Sequence, residues 1–141
     1  MKQLASLPNP NKKSLSKEKA RAARLTRNSK IIKTIIAAIQ EKKGEDIISL
    51  DLRKINEAVA DFFIICEAGN PNQIKAIADN VENKVAEKCD EKPYHHEGLQ
   101  QLQWVLIDYV NVVVHVMLGE TRKFYQLEEM WCDAAGQEHN E

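Results

Sequence analysis

Leu102-Gln-Trp-Val-Leu-Ile-Asp-Tyr-Val-Asn-Val-Val-Val-His-Val-Met-Leu-Gly119 is the stretch on which the fold turns. Its eighteen residues carry one formal charge, Asp108, so its length alone would suit a membrane span. Its composition argues against that. Gln103, Asn111 and His115 interrupt it, and its apolar residues are mostly β-branched. Two strands, Trp104–Tyr109 and Val112–Leu118, close enough to form a hairpin, explain it better than a helix. On the first strand, Trp104 shares a face with Leu106 and Asp108.

Moving outward, Pro93–Gln101 reads as a loop holding Tyr94, His95, His96, Glu97 and Gly98. Before it, Asn70-Pro71-Asn72-Gln73 is a helix start. Asn70 can cap, Pro71 suits the first helical position, and Gln73 can reach back as in a capping box. Ile74, Ile77, Ala78, Val81 and Val85 give that helix its apolar face, ending near Cys89. Asp61–Cys66 is a strand apolar on both sides, as expected of a central strand covered on both faces. Asp46–Leu52 is another strand, joined to it through residues 53–58. Ile31, Ile32, Ile35, Ile36 and Ile39 form one face of an earlier helix, closed by Gly44. After Gly119, Phe124, Leu127 and Trp131 predict a last helix from Glu120 to about Trp131. The order is α-β-β-α-β-β-α, an α/β (α+β) fold with a single mixed sheet flanked by helices.

The chain has 141 residues, 43% apolar and 29% charged, enough for one soluble domain without disulfides or metal. Three cysteines, Cys66, Cys89 and Cys132, never form a C-x-x-C pair, which suits a reduced, intracellular setting. The net charge of −1 hides an asymmetry. Residues 1–30 sum to +8 and residues 31–141 to −9. Residues 1–29 thus read as a basic arm, expected to be disordered. Residues 30–134 form the acidic domain, and residues 135–141 a polar tail. The arm's Lys12, Lys13, Lys17, Lys19, Arg21, Arg24 and Arg27 could touch RNA phosphates without sequence preference. The plainer reading of the arm is a solvated tail with no specific role. It lacks an apolar secretory core, so a cytoplasmic location is expected, with organelle targeting the alternative.

Enzyme machinery is missing from the sequence. No G-x-G-x-x-G, P-loop or G-x-S-x-G motif occurs. A two-metal transfer site wants paired carboxylates, which D-x-D on a strand would supply. Asp51 is flanked at that spacing by Ser49 and Arg53, and Asp108 by Leu106 and Val110. Cys89, His95 and His96 lie close together, but adjacent histidines on a strand point to opposite faces, so no metal or cofactor is expected. His115 is expected to be a buried or half-buried structural imidazole bonded to Asp108 or Glu97. The acidic domain suggests a basic partner, and Trp104 is either a core residue or a partly exposed interface anchor.

Several blocks, taken jointly and in order, resemble one family: Asp46-Ile-Ile-Ser-Leu-Asp-Leu52, Ala60-Asp-Phe-Phe-Ile-Ile-Cys66, Ile77-Ala-Asp79, Glu97-Gly98, Trp104-Val-Leu-Ile-Asp-Tyr109, Val112-Val-Val-His-Val-Met117 and Arg122-Lys-Phe-Tyr-Gln-Leu-Glu-Glu-Met-Trp131. The family is the ribosomal silencing factors, RsfS or Iojap-related, and the resemblance covers about residues 31–134. It implies a nucleotidyltransferase-like core without catalytic residues. It also implies binding to a basic ribosomal protein on the inter-subunit face of the large ribosomal subunit, blocking small-subunit joining and repressing translation. A role in large-subunit biogenesis and a homodimer off the ribosome come with it. The implied partner-binding residues are Trp104, Asp108, Tyr109 and Asn111, with Glu97 nearby. Two other readings are an RNA-binding assembly protein acting through the arm and a nucleotidyltransferase-like enzyme.

The chain departs from the family pattern in three places. Val110-Asn111 replaces the usual Gly-Asp. Glycine there suggests a positive φ that Val tolerates badly, so the turn is expected to shift and place Asn111 in the left-handed position. Glu67-Ala-Gly-Asn-Pro71 replaces the common Ser-Gly-Thr-Ser, with Asn70 still able to cap. The basic arm is longer than the lead of many bacterial members.

Overall fold

The computed structural model describes residues 29–55, 60–127 and 135–139. Among the described residues, three helices and six strands follow one another as α1 (Lys30–Glu41), β1 (Glu45–Asp51), β2 (Phe62–Ala68), α2 (Pro71–Cys89), β3 (His95–Glu97), β4 (Trp104–Asp108), β5 (Val112–Leu118), α3 (Gly119–Tyr125) and β6 (Ala135–Glu138). The strands form one mixed sheet in the order β3-β4-β5-β2-β1-β6. Among the described residues only β2 and β5 pair in parallel, and the other pairings are antiparallel. The hairpin read from the sequence is β4–β5, and the doubly apolar strand is β2, which lies inside the sheet with three strands on one side and two on the other. The basic arm, with its seven candidate RNA-contacting cations, lies outside the described residues apart from Ser29.

Strand alternation divides the core in two. On one face Phe62, Ile64 and Cys66 of β2 lie beside Val105 and Ile107 of β4 and Val112, Val114 and Val116 of β5. Helices α1 and α2 cover this face, contributing Ile32, Ile35, Ile39, Ile74, Ile77, Val81 and Val85, each buried. Burying a large aliphatic side chain of this kind stabilises by about 1.5–3 kcal/mol, so this face is where most of the fold's hydrophobic stabilisation lies. On the other face Leu50, Phe63, Ile65, Val113, Met117 and Leu127 form a smaller cluster. Trp104, Leu106 and Ile48 pack against that cluster and are only half-buried.

The start of α2 follows from its sequence. Asn70 Oδ1 accepts from the Gln73 N–H at 2.9 Å, and Pro71 holds the first helical position. Gln73 Oε1 reaches back to the Gly69 N–H at 2.9 Å, one residue beyond the position a capping box predicts. Its amide then donates to the carbonyls of Lys42 and Lys43, which ties α2 to the end of α1. Gly44 does not supply the left-handed residue after α1; Lys43 does, at φ 65°. Gly44 is needed because a Cβ there would overlap the Ile39 side chain.

Three further expectations need correcting. Part of the expected loop 93–101 is a strand, since His95–Glu97 pairs with β4 at the sheet edge. Its short, polar, exposed residues suit an edge, where a longer apolar strand would invite pairing with other chains. Ala135–Glu138, within the stretch read as a polar tail, pairs with β1 as β6. The helix that begins at Gly119 ends at Tyr125, where Gln126 turns left-handed at φ 49°. Leu127 is therefore buried while Phe124 is 79% exposed, so the two do not share a helix face. Trp131 lies outside the described residues.

Candidate docking surface

The face opposite α1 and α2 carries the half-covered side chains of Trp104, Leu106 and Ile48. Sheet register assembles it. Glu97 of β3 stands opposite Leu106, His95 opposite Asp108, and Trp104 opposite Met117. Helix α3 packs against β5 and β2 and brings Tyr125 to 4.8 Å from Trp104, centroid to centroid. Phe124 follows at 4.9 Å from Tyr125, ring edge to face. Tyr125 is 49% exposed and Phe124 79%. The result is an aromatic ledge of Trp104, Tyr125 and Phe124 beside a row of Glu97, Leu106 and Asp108.

Arg122 holds α3 in place. Its Nη1 donates to the Asp46 carbonyl at 2.7 Å and contacts Glu67 at 3.4 Å, and its side chain is 11% exposed. Asp46 itself has φ 49°, within an irregularity of the β1–β2 pairing. A cation that satisfies a carbonyl at such a point fixes the helix against two strands at once.

Of the sequence-predicted contact residues, Trp104, Asp108 and Glu97 share this face. Glu97 is exposed and pairs with His95. Asp108 is half-buried, and its Oδ1 accepts from the Val110 N–H at 2.7 Å, so its carboxylate also shapes the β4–β5 turn. Tyr109 points the other way, buried in the cluster under α1 and α2. Its hydroxyl finds no hydrogen-bond partner among the described residues, and burial pushes its pKa well above the usual range. Asn111 sits at the turn, where its carbonyl accepts from the N–H groups of Asp61 and Phe62 at 2.9 and 3.0 Å. The turn does not shift as expected: Val110 itself adopts φ 75°, and Asn111 is not left-handed. The cause is the hydrogen-bond pattern. The Asn111 N–H donates to the Tyr109 carbonyl at 2.9 Å, closing a three-residue turn centred on Val110.

His115 is buried, but neither Asp108 nor Glu97 is its partner. The Trp104 indole Nε1–H donates to His115 Nδ1 at 3.0 Å. Leu106, not Asp108, stands opposite His115, and the carboxylates are engaged elsewhere. Burial holds the imidazole neutral, pushing its pKa down to about 3. His95 and His96 point to opposite faces as expected. His95 meets Glu97, and His96 Nδ1 lies 2.9 Å from Glu82 of α2. No cluster of three metal-ligating side chains occurs among the described residues.

Sequence reasoning missed Tyr125 and Phe124 as parts of this surface. A helix-face reading assigns Phe124 to the core, and only the left-handed Gln126 reveals its exposure. The neighbouring Arg122-Lys-Phe-Tyr run was the available signal.

Comparison with known proteins bears on this surface. A family model described as "Ribosomal silencing factor during starvation" matches residues 25–141. A "Ribosomal silencing factor RsfS" of Halalkalibacterium halodurans is 37% identical over 107 residues, which is 76% of this chain and 90% of that protein. A mouse protein named "Mitochondrial assembly of ribosomal large subunit protein 1" is 26% identical over 102 residues, 71% of this chain and 44% of that one. A crystal structure of a Chromobacterium violaceum protein superposes with a TM-score of 0.69 at 36% identity, covering 72% of this chain and 83% of that one.

Proposed function

Because the chain belongs to the RsfS family of ribosomal silencing factors, which are not enzymes, we propose that it binds the large ribosomal subunit and represses translation by steric exclusion. The occupied inter-subunit face then cannot receive the small subunit, and no bond is made or broken. The observation that carries this reading is the aromatic ledge of half-buried Trp104 and exposed Tyr125 and Phe124 beside Asp108 and Glu97. Apolar rings supply the buried centre of an interface, and flanking carboxylates steer a basic ribosomal protein into place. Tyr109 supports the ledge from beneath the sheet instead of touching the partner.

The test is co-sedimentation with separated ribosomal subunits, comparing wild type, Trp104→Ala and Phe124→Ser. Phe124 is so exposed that its replacement leaves the core intact. Selective large-subunit binding that weakens at least tenfold in both variants supports the reading. Binding to both subunits alike, or to neither, overturns it.

A second reading rests on the +8 charge of residues 1–30. In it the arm contacts ribosomal RNA and the protein serves large-subunit assembly. Deleting residues 1–29 separates the two. Lost binding with a steep salt dependence in the intact chain favours the arm. Retained binding favours the ledge.

A further inference from the structure

We propose that His115 is a positioning residue for docking: a buried peg that fixes the Trp104 indole on the sheet so that only its apolar surface meets the partner. This rests on the reading of the Trp104 face as the docking surface.

The argument begins with what an indole can do. Its N–H only donates, so a half-buried tryptophan needs an acceptor or water at that atom. Here the acceptor is His115 Nδ1 at 3.0 Å. An imidazole nitrogen accepts only when it carries no proton, so the ring is neutral, with its hydrogen on Nε2. The ring itself cannot swing. It is 3% exposed, set edge-on to Phe63 at 4.6 Å, and flanked by Leu106 and Ile65 in register. Tyr125 lies 4.8 Å from the indole ring. Trp104 is thus held by a rigid acceptor within the sheet and a second aromatic ring.

Packing alone does not account for an imidazole here. The residues around it in β5 are Val113, Val114, Val116 and Met117, and a leucine would fill the position without desolvating a polar ring. His115 Nε2 has no hydrogen-bond partner among the described residues, which adds to that cost. The hydrogen bond to Trp104 is what the imidazole provides and a leucine would not.

Two consequences follow for the partner. The indole N–H is already used, so the matching site on the partner is an aliphatic pocket, not a hydrogen-bond acceptor. Trp104 is also ordered before docking. Holding one large side chain in place beforehand is worth about three- to tenfold in affinity.

The experiment uses the full chain and purified large subunits. His115→Leu keeps an apolar filling and removes the acceptor. His115→Asn offers an amide oxygen near the Nδ1 position. The readouts are large-subunit affinity, thermal stability, and hydrogen exchange of the Trp104 indole N–H by NMR, assigned with Trp104→Phe. The expected result is slow indole exchange in wild type. His115→Leu exchanges fast and binds three- to tenfold more weakly, with stability unchanged or raised, and His115→Asn recovers part of both losses. Fast indole exchange in wild type, or full affinity in His115→Leu, overturns the peg. Should His115→Leu not fold, Trp104→Phe decides: it keeps an apolar ring without the N–H, and undiminished affinity refutes the proposal. If wild type binds no large subunit, the docking reading fails, while slow indole exchange still reports the peg by itself.

Discussion

Replacing Val110 by glycine should stabilise this protein, although it removes an apolar side chain. Val110 has φ 75° at the centre of the turn between β4 and β5. The turn is closed tightly from both sides, by Asn111 N–H to the Tyr109 carbonyl at 2.9 Å and Val110 N–H to Asp108 Oδ1 at 2.7 Å. A β-branched residue at positive φ is the least tolerated case, costing about 2–3 kcal/mol. Glycine removes that cost. Against it stands about 1 kcal/mol for the greater freedom of glycine in the unfolded chain. Val110 is 47% exposed, so the lost burial is less than ~1 kcal/mol. The net expectation is a gain of about 1 kcal/mol, or roughly 4 °C in Tm. Urea denaturation of wild type, Val110→Gly and Val110→Ala checks it. Alanine keeps the Cβ and relieves only the branching, so it should fall below glycine. A Val110→Gly protein less stable than wild type, at an unchanged urea dependence, would refute the strain argument and with it the turn geometry. Large-subunit binding should survive the change, because Asp108 and Trp104 keep their places.

Two further expectations concern stability. Arg122→Gln should cost about 2 kcal/mol in the same urea assay, since it removes a charged donor from the Asp46 carbonyl and from Glu67; a cost under ~0.5 kcal/mol would mean that α3 is held by other contacts. His115 should also shape the acid limb of stability. Its folded pKa is about 3, against 6.5 unfolded, so below pH 6.5 the unfolded chain binds a proton that the folded chain refuses. The stability this group contributes is complete above pH 6.5 and declines as pH falls toward 3, by up to about 1.4 kcal/mol per pH unit. The difference between wild type and His115→Asn should follow that slope between pH 6 and 4, and parallel curves would rule it out.

The fold was legible where the hydrophobic pattern and turn chemistry agreed. The eighteen-residue run 102–119 has the β-branched content of strands, and its hairpin is β4–β5. The run Phe62–Cys66 is apolar at every position, and all five residues are buried between β5 and β1. Asn70-Pro71 begins α2 through its own side chain and ring. The elements that escaped reading are those whose residues carry no such pattern. His95–Glu97 and Ala135–Glu138 are short edge strands, held by backbone pairing to a neighbour that sequence periodicity does not see. The end of α3 depends on Gln126 turning left-handed, which nothing in that residue's type demands.

The candidate site was less legible than the fold, and the reason lies in how a hairpin sorts its residues. Alternation placed Trp104, Leu106 and Asp108 on one face correctly, because it depends only on the strand period. The same rule sends Tyr109 to the other face with Val105 and Ile107, against the role the family resemblance suggested for it. A block of sequence that resembles a family's interface can therefore hold residues that serve the core behind it. His115 illustrates the complementary case. A histidine amid valines invites pairing with the nearest carboxylates, Asp108 or Glu97, but its partner is the donor-only indole of Trp104, set by the β4–β5 register. The two carboxylates bond instead to the Val110 N–H and to His95, while the imidazole accepts from the indole within the sheet.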